Sequence, residues 1–226
     1  MLVLAIDTAT PAVTAGVVAL EPSGVRVLGT RVTQDARAHG ELLTPHVLEA
    51  VAQAGTHLRE LDAIACGIGP GPYTGLRAGM ATAGALGHSL GVPVYPVCSL
   101  DAIAAEVATG DQNAPFVVVT DARRKEVYWA TYDASGARTD GPGVQRPAEL
   151  AVRLAAGTVA AGQGAELHRE ALGVTVLQPA TPTVAGLVRA AREGLLAGTP
   201  PGPLTPLYLR RPDAQEPGQR KRVTAL

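Results

Sequence analysis

Lysine is nearly absent from this 226-residue chain: Lys125 and Lys221 are the only two, so almost all of its 19 basic residues are arginine. With 20 acidic residues the net charge is −1, which excludes a broad basic surface of the kind that holds nucleic acid by charge alone. Aromatics are scarce too: one Trp, one Phe and five Tyr. A core must therefore be built from Ala, Val and Leu, and chains of this size can bury about 70% of their unfolded surface. Two cysteines, Cys66 and Cys98, are too few for a disulfide framework, and each closes an apolar run as a buried thiol would. No apolar stretch approaches the ~20 residues of a membrane span. Met1 to Asp7 lacks the basic start of a secretory signal. These absences predict a soluble, cytoplasmic protein. The wealth of Arg, Ala, Gly and Pro reads as a high-GC coding bias.

What is present is a regular succession of strand and helix signals. Residues 2 to 6 are apolar and end at Asp7-Thr8-Ala9-Thr10-Pro11; residues 12 to 20 are β-branched and small; residues 25 to 32 alternate after a Glu21-Pro22-Ser23-Gly24 turn. That pattern predicts an antiparallel meander. Residues 39 to 54 carry Leu43, Val47, Ala50, Val51 and Ala54 on one helical stripe, with Gly55 as the stop. Thr44-Pro45 is either the start of this helix or a kink in one that began near Glu41. Leu42 and His46 lie off the stripe and form a second face, and His39 and His46 read as surface or interface histidines. Leu61 to Cys66 reads as a strand. A Gly-Pro-Gly-Pro loop follows, then a helix from Thr74 to about Leu90, a strand from Val92 to Val97 and a helix from Leu100 to Thr109 capped by Ser99. This order matches the ribonuclease-H-like unit of actin, Hsp70 and sugar kinases.

The pattern then restarts. Phe116 to Thr120 is an apolar strand ending in Asp121, Glu126 to Tyr132 a second, and residues 137 to 146 a third. A short helix (Pro147 to Leu154), a strand (Thr158 to Ala161) and a last helix (Thr183 to Leu196, N-capped by Thr183) complete it. The repeat predicts an α/β, actin/Hsp70-like fold of two ribonuclease-H-like units, the second reduced. The units are expected at residues 1–110 and 111–211. Leu207-Tyr208-Leu209-Arg210 is an apolar anchor, and 212–226 a flexible polar tail.

Two aspartates, Asp7 and Asp121, close the first strand of each unit. Facing each other across a cleft, they would suit an ATP-dependent kinase, with Thr8 and Thr10 holding phosphate. The plainer reading of Asp7 is a turn that bonds its own backbone, and spacing alone favours it. Neither aspartate is followed by a phosphate-binding glycine, so Asp7, Thr8, Thr10 and Asp121 describe a degenerate nucleotide site. The 67–75 loop is no P-loop, because Leu76 follows Gly75 and because Pro70 and Pro72 remove N–H donors. Each helix glycine, at 75, 79, 84 and 87, costs ~1 kcal/mol of helix propensity relative to Ala. Close approach of another backbone would offset that cost, either within the chain or from a partner helix. Arg77, a cation in the first turn, calls for an acidic partner or an anion. A peptidase reading lacks a nucleophile–base pair, and no spacing suggests a metal or cofactor.

Five ordered segments resemble the bacterial TsaB (YeaZ) family: Ala5-Ile-Asp7-Thr8-Ala9-Thr10, His39-Gly-Glu-Leu-Leu-Thr-Pro45, Gly69-Pro-Gly-Pro-Tyr-Thr-Gly-Leu-Arg77-Ala-Gly79, Asp121-Ala-Arg-Arg124 with Val127-Tyr128, and Leu207-Tyr-Leu-Arg210. The resemblance spans about residues 1 to 211. It implies a non-catalytic subunit in the synthesis of N6-threonylcarbamoyladenosine at position 37 of tRNA. Such a subunit pairs with the transferase TsaD and the ATPase TsaE, self-associates as a homodimer when alone, and meets tRNA through the complex. TsaD carries a paired-histidine metal motif where this chain reads Val97-Cys-Ser-Leu-Asp-Ala-Ile. Pro72-Tyr73 departs from the family's commoner small residue and Phe. The resemblance places the pairing surface on the first helix and the glycine helix, at His39, Leu42, Leu43, His46, Tyr73, Gly75, Leu76, Arg77, Gly79, Met80 and Ala83.

Overall fold

The computed structural model describes residues 1–110 and 113–210. The tail expected at 212–226 lies outside them. The chain opens with the meander its alternation predicts: β1 (Leu2–Asp7), β2 (Ala12–Glu21) and β3 (Gly24–Gln34) pair antiparallel. Next come α1 (His39–Gln53), β4 (Ala63–Gly67), α2 (Tyr73–Leu90), β5 (Val94–Val97) and α3 (Ser99–Val107). The first sheet runs β3-β2-β1-β4-β5, with β4 parallel to β1 and β5 parallel to β4.

The second sheet repeats that plan. It contains β6 (Phe116–Asp121), β7 (Val127–Tyr132) and β8 (Arg138–Gln145), again an antiparallel meander. Then follow α4 (Pro147–Ala151), β9 (Val159–Ala161), α5 (Gln163–Leu167), α6 (Arg169–Leu172) and β10 (Thr175–Leu177). Its order, β10-β9-β6-β7-β8, is that of the first sheet read from the other edge, with β9 and β10 parallel to β6. The internal repeat is therefore a repeat of topology, and the expected two-unit fold is the observed one.

Both faces of β1 are covered, which is why it reads as a continuous apolar run. Val3 and Ala5 point into one layer, Leu4 and Ile6 into the other, as the two-residue period requires. Leu4 and Ile6 meet Leu43, Val47 and Val51 of α1 and Met80 and Ala83 of α2. On the opposite face lie Ala102 of α3 and Val184, Leu187 and Val188 of α7 (Val184–Ala190). Leu100, Ile103, Ala104 and Val107 of α3 also enter the core of the second sheet beside Phe116, Tyr128 and Tyr132. Tyr132 stacks on Phe116 and donates its hydroxyl to Asp101 at 2.8 Å. Thus α3 is a shared layer, and α7 crosses from the second half of the chain to finish the core of the first sheet. The division expected near residue 110 separates the two sheets but not their helices.

Three local expectations change. The helix read as Thr183 to Leu196 is two helices, α7 and α8 (Arg192–Ala197), although Thr183 does cap it by accepting the Gly186 N–H at 2.9 Å. The first helix begins at His39 and carries Pro45 inside it, so Thr44 is not its cap. Gly55, at φ +66°, ends it as expected, with its N–H bonded to Ala52 O and that of Thr56 to Val51 O. Ser99 is not the cap of α3 but its first residue, and its hydroxyl is used elsewhere.

After α8 the chain runs as an extended strap. Leu204 packs on the first core, the Leu207 N–H donates to Ile68 O at 2.8 Å, and Leu209 reaches the second core. Arg210 fastens the end by donating to Ala122 O at 2.9 Å and by pairing with Glu126. The anchor read at residues 207–210 is thus a tie across both halves.

Candidate functional site: the β1–β2 turn and the glycine helix

The β1–β2 turn lies directly under α2. Asp7 is 1% exposed. Its Oδ1 accepts the Ala9 N–H at 2.9 Å and its Oδ2 accepts the Ser99 hydroxyl at 2.6 Å. The turn that bonds its own backbone is therefore realised, with Ser99, 92 residues away, as a second donor. Burial pushes the Asp7 carboxyl up to about 6, against the opposing pull of Ser99, of the Ala9 N–H and of His39. Gly67 is needed beside it, because a Cβ there would sit 1.9 Å from Asp7 Oδ2.

Thr8 explains two of the four glycines of α2, Gly75 and Gly79. Its hydroxyl donates to Gly75 O at 2.7 Å and accepts the Gly79 N–H at 3.1 Å. Those two groups are i, i+4 partners in a helical ladder, so the Thr8 side chain bridges the ladder from outside. A Cβ on Gly75 would lie 2.6 Å from Thr8 O, and one on Gly79 2.3 Å from Thr8 Oγ1. The backbone approach that offsets their propensity cost therefore comes from within the chain. Thr10 is equally spent: its hydroxyl accepts the Ala12 N–H at 3.2 Å and its carbonyl faces His39 Nε2 at 2.9 Å.

This packing corrects the surface expected for pairing. His39, Leu43, His46, Gly75, Leu76, Gly79, Met80 and Ala83 are all buried within the chain. His39 is drawn inward by Thr10 O, and His46 Nε2 lies 2.8 Å from Thr33 Oγ1 on β3, so neither is a surface histidine. Leu42 is half-buried against the first core. Of the residues expected at the surface, only Tyr73 and Arg77 stand out to solvent. Among the described residues no acid pairs with Arg77. Its guanidinium lies 3.9 Å from the centre of the Tyr73 ring, and its Nε donates to the Tyr208 hydroxyl at 2.9 Å. Tyr73 and Tyr208 stack at 5.4 Å and remain 52% and 40% exposed. Tyr208 could not have been assigned this role from spacing, being 131 residues from Arg77. Along the same outward row of α2, Ala81 and Ala85 are exposed small residues.

Asp121 stands apart from Asp7. Its Oδ1 accepts the Arg123 N–H at 2.8 Å, the same turn geometry as at Asp7, but the residue is only half-buried. It opens onto a groove of about 470 Å³ shared with Pro11, Gln163, Glu166 and Leu167. Asp7, buried beneath α2, is not among the residues that line that groove, although Pro11 of its own turn is. Cys66 and Cys98 are free thiols. Burial raises both, Cys66 far above the ordinary thiol range and Cys98 to about 12. Among the described residues no group of three or more His, Cys, Asp or Glu side chains is placed to hold a metal ion, and no helix is long and apolar enough to cross a membrane.

Comparison with known proteins bears on this geometry. Residues 27–188 match the model of the family described as TsaD, tRNA N6-adenosine threonylcarbamoyltransferase. An uncharacterized protein of Mycobacterium tuberculosis is 53% identical over 213 residues, 94% of this chain and 93% of that protein. The tRNA threonylcarbamoyladenosine biosynthesis protein TsaB of Haemophilus influenzae is 34% identical over 137 residues, 61% of this chain and 56% of its own length. The solved structure of YeaZ from Pseudomonas aeruginosa superposes with a TM-score of 0.76 at 27% identity, over 92% of this chain and 99% of that one.

Proposed function

We propose that this chain, which belongs to the TsaD family and within it to the TsaB/YeaZ group, takes part in tRNA threonylcarbamoyladenosine biosynthesis as an accessory, non-catalytic subunit. The observation that carries the accessory role is the filled turn. Where an actin-like kinase would hold phosphate, Thr8 is bonded into α2, both Asp7 oxygens are occupied, and glycine backbone closes over them. The binding energy of that turn goes into the fold rather than into a ligand. A kinase reading requires Asp7 to reach solvent, and its burial argues for the accessory reading. Calorimetry with Mg-ATP separates the two: tight, metal-dependent binding to the isolated chain would favour the kinase.

The partner is a TsaD-type transferase, with a TsaE-type ATPase joining the pair, a homodimer forming in isolation, and tRNA met through the complex in the cytoplasm. The pairing surface we favour is the outward row of α2, with Tyr73 and Arg77 as anchors and Ala81 and Ala85 as the close-approach positions. Tyr and Arg are the residues that dominate pairing energy at interfaces, and here the Tyr208 stack holds them in place before any partner arrives. Reconstitution tests the role: modification of tRNA should need this chain together with the transferase, the ATPase and the adenylate-forming enzyme, while the chain alone does nothing. Full modification in its absence would sink the reading. Ala85→Arg should abolish co-elution with the transferase while leaving thermal unfolding unchanged.

A further inference from the structure

We propose that the second unit sets the pairing surface of α2 through the strap: Arg210, which is not itself on that surface, is a positioning residue that holds Tyr208 and, through it, the Arg77 guanidinium in the arrangement a partner meets. This rests on the reading that the Tyr73–Arg77 row of α2 pairs with a transferase.

The strap is stiff and fastened at intervals. Prolines at 200, 201, 203 and 206 fix φ at four of its positions. The Tyr95 hydroxyl donates to Thr199 O at 3.0 Å, Leu204 packs on the first core, and the Leu207 N–H donates to Ile68 O at 2.8 Å. Within two residues the strap then passes to the other unit. Leu209 packs on the core of the second sheet, and Arg210 donates to Ala122 O at 2.9 Å and pairs with Glu126. Tyr208 is the residue between these attachments, held on one side by the first unit and on the other by the second.

Arg77 depends on that residue. It stands exposed on α2, where a long side chain left to itself samples many rotamers. Among the described residues its guanidinium makes one hydrogen bond, from Nε to the Tyr208 hydroxyl at 2.9 Å, and one ring contact, 3.9 Å from the centre of Tyr73. The two rings stack on each other at 5.4 Å and 19°, so displacing Tyr208 removes the hydrogen bond and the support of the ring contact together. A partner would then have to order Tyr73, Arg77 and Tyr208 itself, and each side chain ordered on binding subtracts from affinity. The hydrogen bonds of Arg210 go to the second unit, to Ala122 O, to Arg123 O at 3.5 Å and to Glu126. Its influence on α2 therefore runs along the strap.

The test is a double-mutant cycle on the affinity of this chain for its transferase partner, read at a temperature where every variant is folded. Arg210→Ala should weaken pairing about tenfold and Arg77→Ala about thirtyfold. In the Arg77→Ala background, Arg210→Ala should add less than about twofold, because the group it positions is gone. Arg210→Lys keeps a donor for Ala122 O and a charge for Glu126, and should bring affinity back to within about threefold of wild type. Unchanged affinity in Arg210→Ala would overturn the inference. So would a full tenfold loss in the Arg77→Ala background, which would make Arg210 a direct contact or a purely structural residue. A second readout needs no partner: solvent exchange of the Arg77 Nε–H, followed by NMR on the isolated chain, should be slow in wild type and several-fold faster in Arg210→Ala and in Tyr208→Phe. Equal exchange in Arg210→Ala and wild type would also overturn it. If wild-type chain and transferase form no complex, the reading of the pairing surface fails, and the exchange measurement still decides whether Arg210 holds Arg77.

Discussion

The β1–β2 turn and the β6–β7 turn begin alike and end differently. Each follows the first strand of a meander, and in each a strand-end aspartate accepts the N–H of the residue two positions on, Asp7 from Ala9 and Asp121 from Arg123. The first turn continues as Thr8-Ala9-Thr10 and is sealed beneath α2 by glycine backbone. The second buries Ala122 but leaves Arg123-Arg124-Lys125 in solvent, tied down from behind by Arg210. One topological unit used twice has thus given one turn to the core and left the other to the surface. The difference lies in the helices that come later in each unit. An 18-residue helix rich in glycine returns over the first turn, whereas the second sheet has only the five-residue α5 and the four-residue α6 at the corresponding place.

The comparison can be broken most forcefully at Gly79. Replacing it with Leu sets a Cβ 2.3 Å from Thr8 Oγ1 and severs the Thr8 bridge, so we expect a loss of about 3 to 5 kcal/mol and a chain that unfolds near ambient temperature. Thermal unfolding read by circular dichroism decides it; a Leu variant that melts like wild type would mean that the first turn is not sealed. The same experiment separates folding from pairing, because Ala85→Arg on the outward row should leave the melt alone. Next in size is Asp7→Asn. The folded carboxyl titrates near 6 and an unfolded one near 4, so the folded state holds a proton that the unfolded chain has already released. Stability contributed by this group is therefore full below about pH 4 and falls as pH rises through 6, by about 3 kcal/mol in all. Asparagine keeps an acceptor for Ala9 and can donate to the Ser99 oxygen. The variant should be more stable than wild type at pH 7.5 and should lose the decline between pH 4 and 6. Denaturant melts across that range check both signs.

How much of this is legible in the chain depends on separation. The strands and their order are readable because period-two burial is local, and Asp7 and Asp121 mark the two units because each closes an apolar run. α5, α6 and β10 leave no trace, since three to five residues are too few for a period to declare itself. The glycines of α2 announce a close neighbour but not which one; Thr8 lies 67 residues from Gly75. For the same reason most of the residues expected from sequence at a pairing surface are buried within the chain itself. The apolar and glycine positions that look like a contact surface are the ones the chain uses on itself, and Ala81 and Ala85, which it leaves outside, carry no signal of their own. His39 and His46 read as surface groups because nothing local shows that the turn at Thr10 and the strand at Thr33 wait for them.

The second turn offers the smaller effects. Arg210→Ala removes the tie to Ala122 O and leaves Glu126 half-buried without its cation, which should cost about 1 to 2 kcal/mol. It should also free the strap at its end, visible as faster amide exchange in residues 204–209 while those of β1 stay protected. Smallest is Asp121→Asn. Asparagine can accept the Arg123 N–H as the carboxylate does, and the side chain is partly in water, so stability at pH 7.5 should stay within about 0.5 kcal/mol of wild type. Set beside Asp7→Asn, this is the sharpest form of the comparison. The same chemical change at the same topological position should stabilise the chain clearly in one unit and hardly register in the other, because only Asp7 is held without water. Equal responses at the two sites, measured in parallel denaturant melts, would mean that the units differ less in burial than the sealing of the first turn requires.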